Sequence, residues 1–172
     1  KHNFSIPQSK LEIIKSWPFI YWISDEFRKN FIKGNESSMK MCSGLGSGNN
    51  LRFMRFWWEV NINQIVCKNS DRKKWVPIAK GGPYRKWYGN LWLCVNWANE
   101  GYEIRNFFNT QGKLLSRPQN IDYYFTEGIS FVKAGPKIPS FRYIPSNSIF
   151  DSSSPAIFPD EYPNLMYSIA FY

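Results

Sequence analysis

The residues whose types and spacing promise the most chemistry are Lys80-Gly81-Gly82-Pro83-Tyr84-Arg85-Lys86-Trp87-Tyr88-Gly89-Asn90. Three cations, three aromatics and three glycines fall in eleven residues, with no acid among them. Glycine lets a backbone approach a ligand closely and reach positive φ. Lys and Arg neutralise phosphates, and Trp and Tyr offer flat faces for stacking or for stiffening a loop. The segment reads as a loop that meets a polyanion, with Lys80, Gly81, Gly82, Arg85 and Lys86 as candidate nucleic-acid contacts.

A second candidate is the glycine-rich turn Ser43-Gly44-Leu45-Gly46-Ser47-Gly48-Asn49-Asn50, which runs into Leu51-Arg52-Phe53-Met54-Arg55-Phe56-Trp57-Trp58. An Asn cap followed by residues with no helix breaker predicts a helix starting there. A loop that ends at a helix N-terminus can receive an anion. Ser47, Asn49 and Asn50 are its polar side chains. Arg52 and Arg55, three apart on that helix, would share one face and present two guanidinium groups to phosphates or guanine edges. A plain solvated face is the other reading. The turn is no nucleotide P-loop, because no Gly-Lys-Ser/Thr follows it, and no βαβ pattern makes it a dinucleotide fingerprint. Lys133 and Arg142 flank the Pro/Gly-rich turn Ala134–Pro139 as further candidate phosphate contacts.

Charge points the same way. The formal net charge is +9, and residues 51–100 carry 9 basic against 3 acidic side chains. Between Arg72 and Lys86 there are six cations and no acid. A localised basic field favours a polyanionic partner and salt-sensitive association.

Catalytic patterns are missing. The single histidine is His2, so no Ser-His-acid constellation can form around an internal histidine. No Glu-x-Lys occurs of the kind a nuclease uses beside a Mg²⁺-bound phosphate. Cys42, Cys67 and Cys94 stand in no metal or redox spacing. Three unpaired thiols fit a reducing, cytoplasmic setting. No apolar run is long enough to span a membrane, so no membrane partner is expected.

The elements that must position these residues are short. Leu11, Ile13, Ile14 and Trp17 suggest a helix over Gln8–Trp17, closed by Pro18. Ser24-Asp25-Glu26 reads as a cap and acidic first turn of a helix that ends at Gly34. Strands are expected at Met39–Cys42, Asn61–Val66, Trp75–Ala79, Leu91–Trp97, Ile129–Lys133, Ser140–Ile144 and Ser148–Phe150, and a short helix at Tyr102–Phe108. Asn96, inside an apolar strand, must be hydrogen-bonded and is expected to tie down a neighbouring loop. Six of the eight tryptophans lie between Trp57 and Trp97. Most should be core, because that many exposed indoles would cause association. The sum is an α+β fold: one mixed domain over residues 1–172. Within it, residues 1–40 are expected to be helical, residues 41–160 to mix short strands with loops, and residues 161–172 to begin a further helix. The first residues, Lys1-His2-Asn3-Phe4, and the apolar last ones suggest a piece excised from a longer protein.

Several blocks resemble the PglX-type adenine-specific DNA methyltransferases of BREX phage-defence systems, relatives of fused type II restriction–modification enzymes. They are Phe19–Ser24, Gly44–Arg55, Lys80–Asn90 continuing through Val95-Asn96-Trp97, and Tyr123–Ser130. Phe141-Arg142-Tyr143 and Ile149-Phe150-Asp151 agree as well. The resemblance implies the target-recognition region of such an enzyme, following its methyltransferase domain. The family's catalytic Asn-Pro-Pro-Tyr motif is absent here, as is a glycine-rich S-adenosylmethionine loop after a strand. It therefore implies S-adenosylmethionine for the parent enzyme, no cofactor in this segment, and double-stranded DNA as partner, with other defence-system subunits or phage inhibitors as further partners. In one departure, the glycine-rich block usually has Asp before the Asn where this chain has Asn49. An Asn cap still works there, but a negative charge is lost. Two other readings stay open: a single-stranded DNA or RNA binder that uses its aromatics as stacking platforms, and a basic module that meets an acidic protein.

Overall fold

A computed structural model describes residues 39–68, 72–133 and 140–159, together with residues 7–10, 12, 24 and 25. The chain divides into two compact units, Lys1–Ser38 and Met39–Tyr172. In the first, the described residues include a 3-10 turn at Gln8–Lys10 and an ion pair between Lys10 and Asp25. The expected helices at Gln8–Trp17 and Ser24–Gly34 otherwise lie outside the described residues, as does the one beginning near Glu161.

Within the second unit, the described residues form a small mixed domain of two four-stranded sheets with few helices. Its elements in chain order are β1 (Met39–Cys42), α1 (Asn50–Phe53), β2 (Met54–Phe56), β3 (Trp75–Ala79), β4 (Leu93–Asn96), α2 (Ala98–Arg105), β5 (Gly128–Phe131), β6 (Phe141–Ile144), β7 (Ile149–Phe150) and β8 (Ala156–Pro159). One sheet runs β1-β8-β5-β6, antiparallel throughout. The other runs β2-β4-β3-β7, with β3 and β7 parallel. Leu45, Phe53, Ile78, Val95, Ile149 and Phe158 belong to one buried cluster, to which both sheets contribute. Phe150 links its aromatics, edge-on to Tyr124 at 5.5 Å and tilted on Phe158 at 5.3 Å. Aromatic pairs of this kind add about 0.5–1.5 kcal/mol each beyond the area they bury.

The expected strands at Met39–Cys42 and Trp75–Ala79 are present with those bounds, and four more appear within a few residues of theirs. Three expectations change. The helix over Leu51–Trp58 stops at Phe53, because Met54–Phe56 pairs with Val95–Leu93 as an edge strand. Phe56 suits a pleated surface once a partner strand offers its ladder, and Trp57–Glu59 then leaves the strand as a 3-10 turn. Asn61–Val66 is a 3-10 turn at Ile62–Gln64 followed by a single bridge from Ile65 to Trp75. The helix expected at Tyr102–Phe108 spans Ala98–Arg105 and opens through three left-handed residues, Asn99, Glu100 and Gly101. The two described α-helices therefore sit mid-chain. Asn96 is buried, and its side chain accepts a hydrogen bond from Ala98 N at 3.3 Å, fixing that helix entry.

Candidate nucleic-acid interface

The glycine-rich turn is sewn between two neighbouring segments. Leu45 N donates to Phe150 O at 2.8 Å, Ser152 N donates to Leu45 O at 3.0 Å, and Gly46 exchanges both backbone hydrogen bonds with Arg117. Gly44 is required because a Cβ there would lie 2.0 Å from Phe150 O. Gly48 is required twice over, by its φ of +71° and by Leu115 O, 2.5 Å from where a Cβ would sit. Asn49 then caps α1, its side chain accepting from Arg52 N at 3.0 Å, and Ser47 Oγ donates to Asn50 Oδ1.

This turn lines a cleft of about 450 Å³ together with Lys80, Asp151 and Ser153. Lys80 Nζ is 2.8 Å from Asp151 Oδ2, and the Asp151 side chain is only 4% exposed. Asp151 Oδ1 accepts from Ser153 N at 2.8 Å and from Ser153 Oγ. Ser153 Oγ accepts in turn from Gly81 N at 3.3 Å. Lys133 joins the same turn through its backbone, donating to Ser153 O at 3.2 Å. Lys80, a candidate nucleic-acid contact from its sequence, is thus held by a buried carboxylate. An acid followed by three serines after an apolar strand, Asp151-Ser152-Ser153-Ser154, is the signature of a side-chain-stabilised turn that could have revealed it.

The loop Lys80–Asn90 is closed at its base by Lys80 N donating to Asn90 O at 3.4 Å. Asn90 is buried and donates to Pro83 O at 3.2 Å. The middle of the loop is stitched to β6: Trp87 N donates to Phe141 O at 3.1 Å, and Tyr143 N donates to Trp87 O at 2.8 Å. Ser140 Oγ bonds both the N–H and the carbonyl of Arg85. Left-handed backbone falls at Trp87 (φ 71°), Gly89 and Asn90 rather than at Gly81 or Gly82. A tryptophan is rare in that region and stays there only where its surroundings over-determine it, as the two bonds to β6 do. Gly82 instead allows close approach, since a Cβ would meet Asn90 Nδ2 at 3.2 Å.

The effect is to fix the backbone and leave the side chains outward. Tyr84, Arg85, Lys86, Trp87 and Tyr88 are all exposed. Lys86 Nζ lies 5.2 Å from the centre of the Trp87 ring, and the Arg85 guanidinium has no partner among the described residues. The rings of Trp87 and Tyr88 are not core: they are 41% and 62% exposed. The expectation that most tryptophans are buried also fails, because of the described ones only Trp97 is.

The other candidates scatter. Arg52 rests over the rings of Phe53 and Phe107 at 5.3 and 5.1 Å. Arg55, on β2 rather than on a shared helix face, donates from Nη1 to Leu51 O and Met54 O at 2.6 and 2.7 Å. Both remain exposed. Arg142 is 1% exposed. Its Nη2 donates to Ser154 Oγ at 3.1 Å, while Nε and Nη1 have no hydrogen-bond partner. Burial lowers its pKa. A guanidinium enclosed in this way cannot reach a phosphate at the surface.

Among the described residues no group of three or more His, Cys, Asp or Glu side chains stands close enough to hold a metal ion. The Cys94 thiol is buried and its pKa is pushed up to about 11, so it stays protonated. Burial also raises the Cys42 thiol. Among the described residues no helix is long and apolar enough to cross a membrane.

This chain, with its fixed basic loop, is homologous to a segment of adenine-specific methyltransferases. It is 32% identical over 173 aligned positions to adenine-specific methyltransferase PglX of Lacticaseibacillus casei (strain Zhang), an alignment that takes in 95% of this chain and 14% of that protein. It is 33% identical over 152 positions to adenine-specific methyltransferase BrxX of Escherichia coli O9:H4 (strain HS), covering 88% of this chain and 12% of the relative. The chain thus spans about one seventh of the length of these curated relatives. No protein-family model matches it.

Proposed function

We propose that this chain is the segment of an adenine-specific DNA methyltransferase that grips and reads duplex DNA, in a BREX-type phage-defence or restriction–modification setting. The parent enzyme uses S-adenosylmethionine outside this segment, and the segment supplies specificity. The observation that carries the reading is the Lys80–Asn90 loop: its backbone is pinned at base and middle, and Arg85 and Lys86 face solvent. Groups fixed before the ligand arrives lose little conformational freedom on binding. Extruding a target base costs a few kcal/mol, and contacts elsewhere on the duplex must offset it. Arg85 and Lys86 are the phosphate- or base-facing groups of this reading, while Lys80 and Arg142 support the loop from beneath.

A second reading, a single-strand binder, is favoured by the exposed Trp87 and Tyr88 rings, since aromatic stacking on a base contributes about 1–3 kcal/mol. Fluorescence anisotropy with a labelled duplex, competed by unlabelled single strand and unlabelled duplex, separates the two. The duplex should compete better. A strong single-strand preference that Trp87→Ala abolishes would replace the first reading with the second.

A further inference from the structure

A second cleft, of about 460 Å³, opens between residues 72–74 and the left-handed entry to α2. Its volume falls in the range of small-molecule sites. Arg72, Lys74, Asn99 and Glu100 are among its polar lining residues. Trp97 and Phe125 contribute aromatic surface. Trp97 is held in place, edge-on to Tyr124 at 5.3 Å and against Gly101, where any Cβ would come within 2.6 Å of the indole.

Backbone strain is concentrated here. Six described non-glycine residues have positive φ, and three of them, Asn99 (50°), Glu100 (57°) and Phe125 (62°), line this one cleft. Residues held in sparsely populated backbone regions gather at ligand clamps. Arg72 approaches Glu100 at 3.7 Å, with both side chains largely exposed. That pair is weak and easily exchanged for another anion. The lining therefore combines cations at solvent level with aromatic and apolar surface below. The ligand chemistry that matches both is a flat, apolar ring joined to an anion.

We propose that this cleft binds one nucleotide unit, with its phosphate on Arg72 and Lys74 and its base against Trp97 and Phe125. The unit is either a free nucleotide or an unstacked nucleotide of a strand. The site shares no side chain with the Lys80–Asn90 loop and stands or falls separately from it.

The test is titration of the 172-residue chain with 2′-deoxyadenosine 5′-monophosphate, followed in ¹H–¹⁵N spectra. The Trp97 indole and the Asn99 and Glu100 amides should shift saturably. Arg72→Gln and Lys74→Gln, both at exposed positions, should each weaken binding about tenfold, and Arg85→Gln should leave it unchanged. The nucleoside without phosphate, and inorganic phosphate without a base, should each bind more weakly than the nucleotide. A single-stranded oligonucleotide that shifts the same signals would mark the strand as the source; response to the monophosphate but not the strand would mark a free nucleotide. No shift of these signals at about millimolar ligand, or equal shifts with inorganic phosphate, would overturn the proposal.

Discussion

Lys80 Nζ sits 2.8 Å from Asp151 Oδ2, joining the first residue of the basic loop to a carboxylate buried at the turn after β7. The pair converts the most conspicuous cation of the loop into its anchor. It also explains how the loop can hold Arg85 and Lys86 outward: β3, β7 and the loop base are fastened at one point, with Asp151 N donating to Ala79 O at 2.9 Å.

Lys80→Met should therefore act on stability. Removing one partner leaves the other charge buried and unmatched, which costs about 3–5 kcal/mol when both are enclosed and less here, about 2–3 kcal/mol, because Lys80 is partly exposed. Arg85→Ala and Lys86→Ala, at exposed positions, should stay within about 0.5 kcal/mol of the parent. Urea denaturation of the three variants checks the contrast.

The orphaned nitrogens of Arg142 predict an unusual ranking. Arg142→Met retains the buried stem and removes an incompletely matched charge, so stability should hold or rise. Arg142→Ala should cost about 2–4 kcal/mol through lost packing. Thermal melts of the two variants should place Met above Ala by a wide margin.

At Asn49 the cap is formed by a side-chain oxygen accepting from Arg52 N. Asn49→Ala should cost about 1 kcal/mol, and Asn49→Asp should cost nothing, because either oxygen can accept the bond. Equal loss in both variants, read by chemical denaturation, would mean that the amide nitrogen matters instead.

Cys94 gives a pH dependence with a definite sign. Its ordinary pKa of 9.0 rises to about 11 in the fold through burial. Above pH 9 the unfolded chain releases this proton while the folded chain retains it. The unfolded state then binds fewer protons, and stability falls as pH rises from about 9 toward 11. Below pH 9 both states keep the proton and the effect vanishes. Cys94→Ala should remove this share of the alkaline loss, visible as a smaller drop in urea midpoint between about pH 8 and pH 10.5.

Much of the strand pattern was legible because β-branched and aromatic runs such as Trp75–Ala79 stand between turn residues. The end of α1 was not, because Met54–Phe56 is extended only through its pairing with Val95–Leu93, a distant partner in sequence. The same locality limit applies to the site. The glycine turn and the basic loop could be read directly from their composition. That Lys80 meets Asp151, and that Arg142 is enclosed beside Ser154, are products of long-range topology. The exposure of Trp57, Trp58 and Trp87 ran against composition, since indoles this hydrophobic are expected inside.

The most direct test of DNA recognition is the affinity of the chain for a duplex measured across a series of salt concentrations. The log–log slope should be steep, about −0.9 per phosphate contacted. Arg85→Ala/Lys86→Ala should weaken binding and flatten the slope by up to about 1.8, while Lys80→Met, at a temperature where it is folded, should leave the slope unchanged. A folded double variant with the parent's affinity and slope would contradict DNA recognition by this loop.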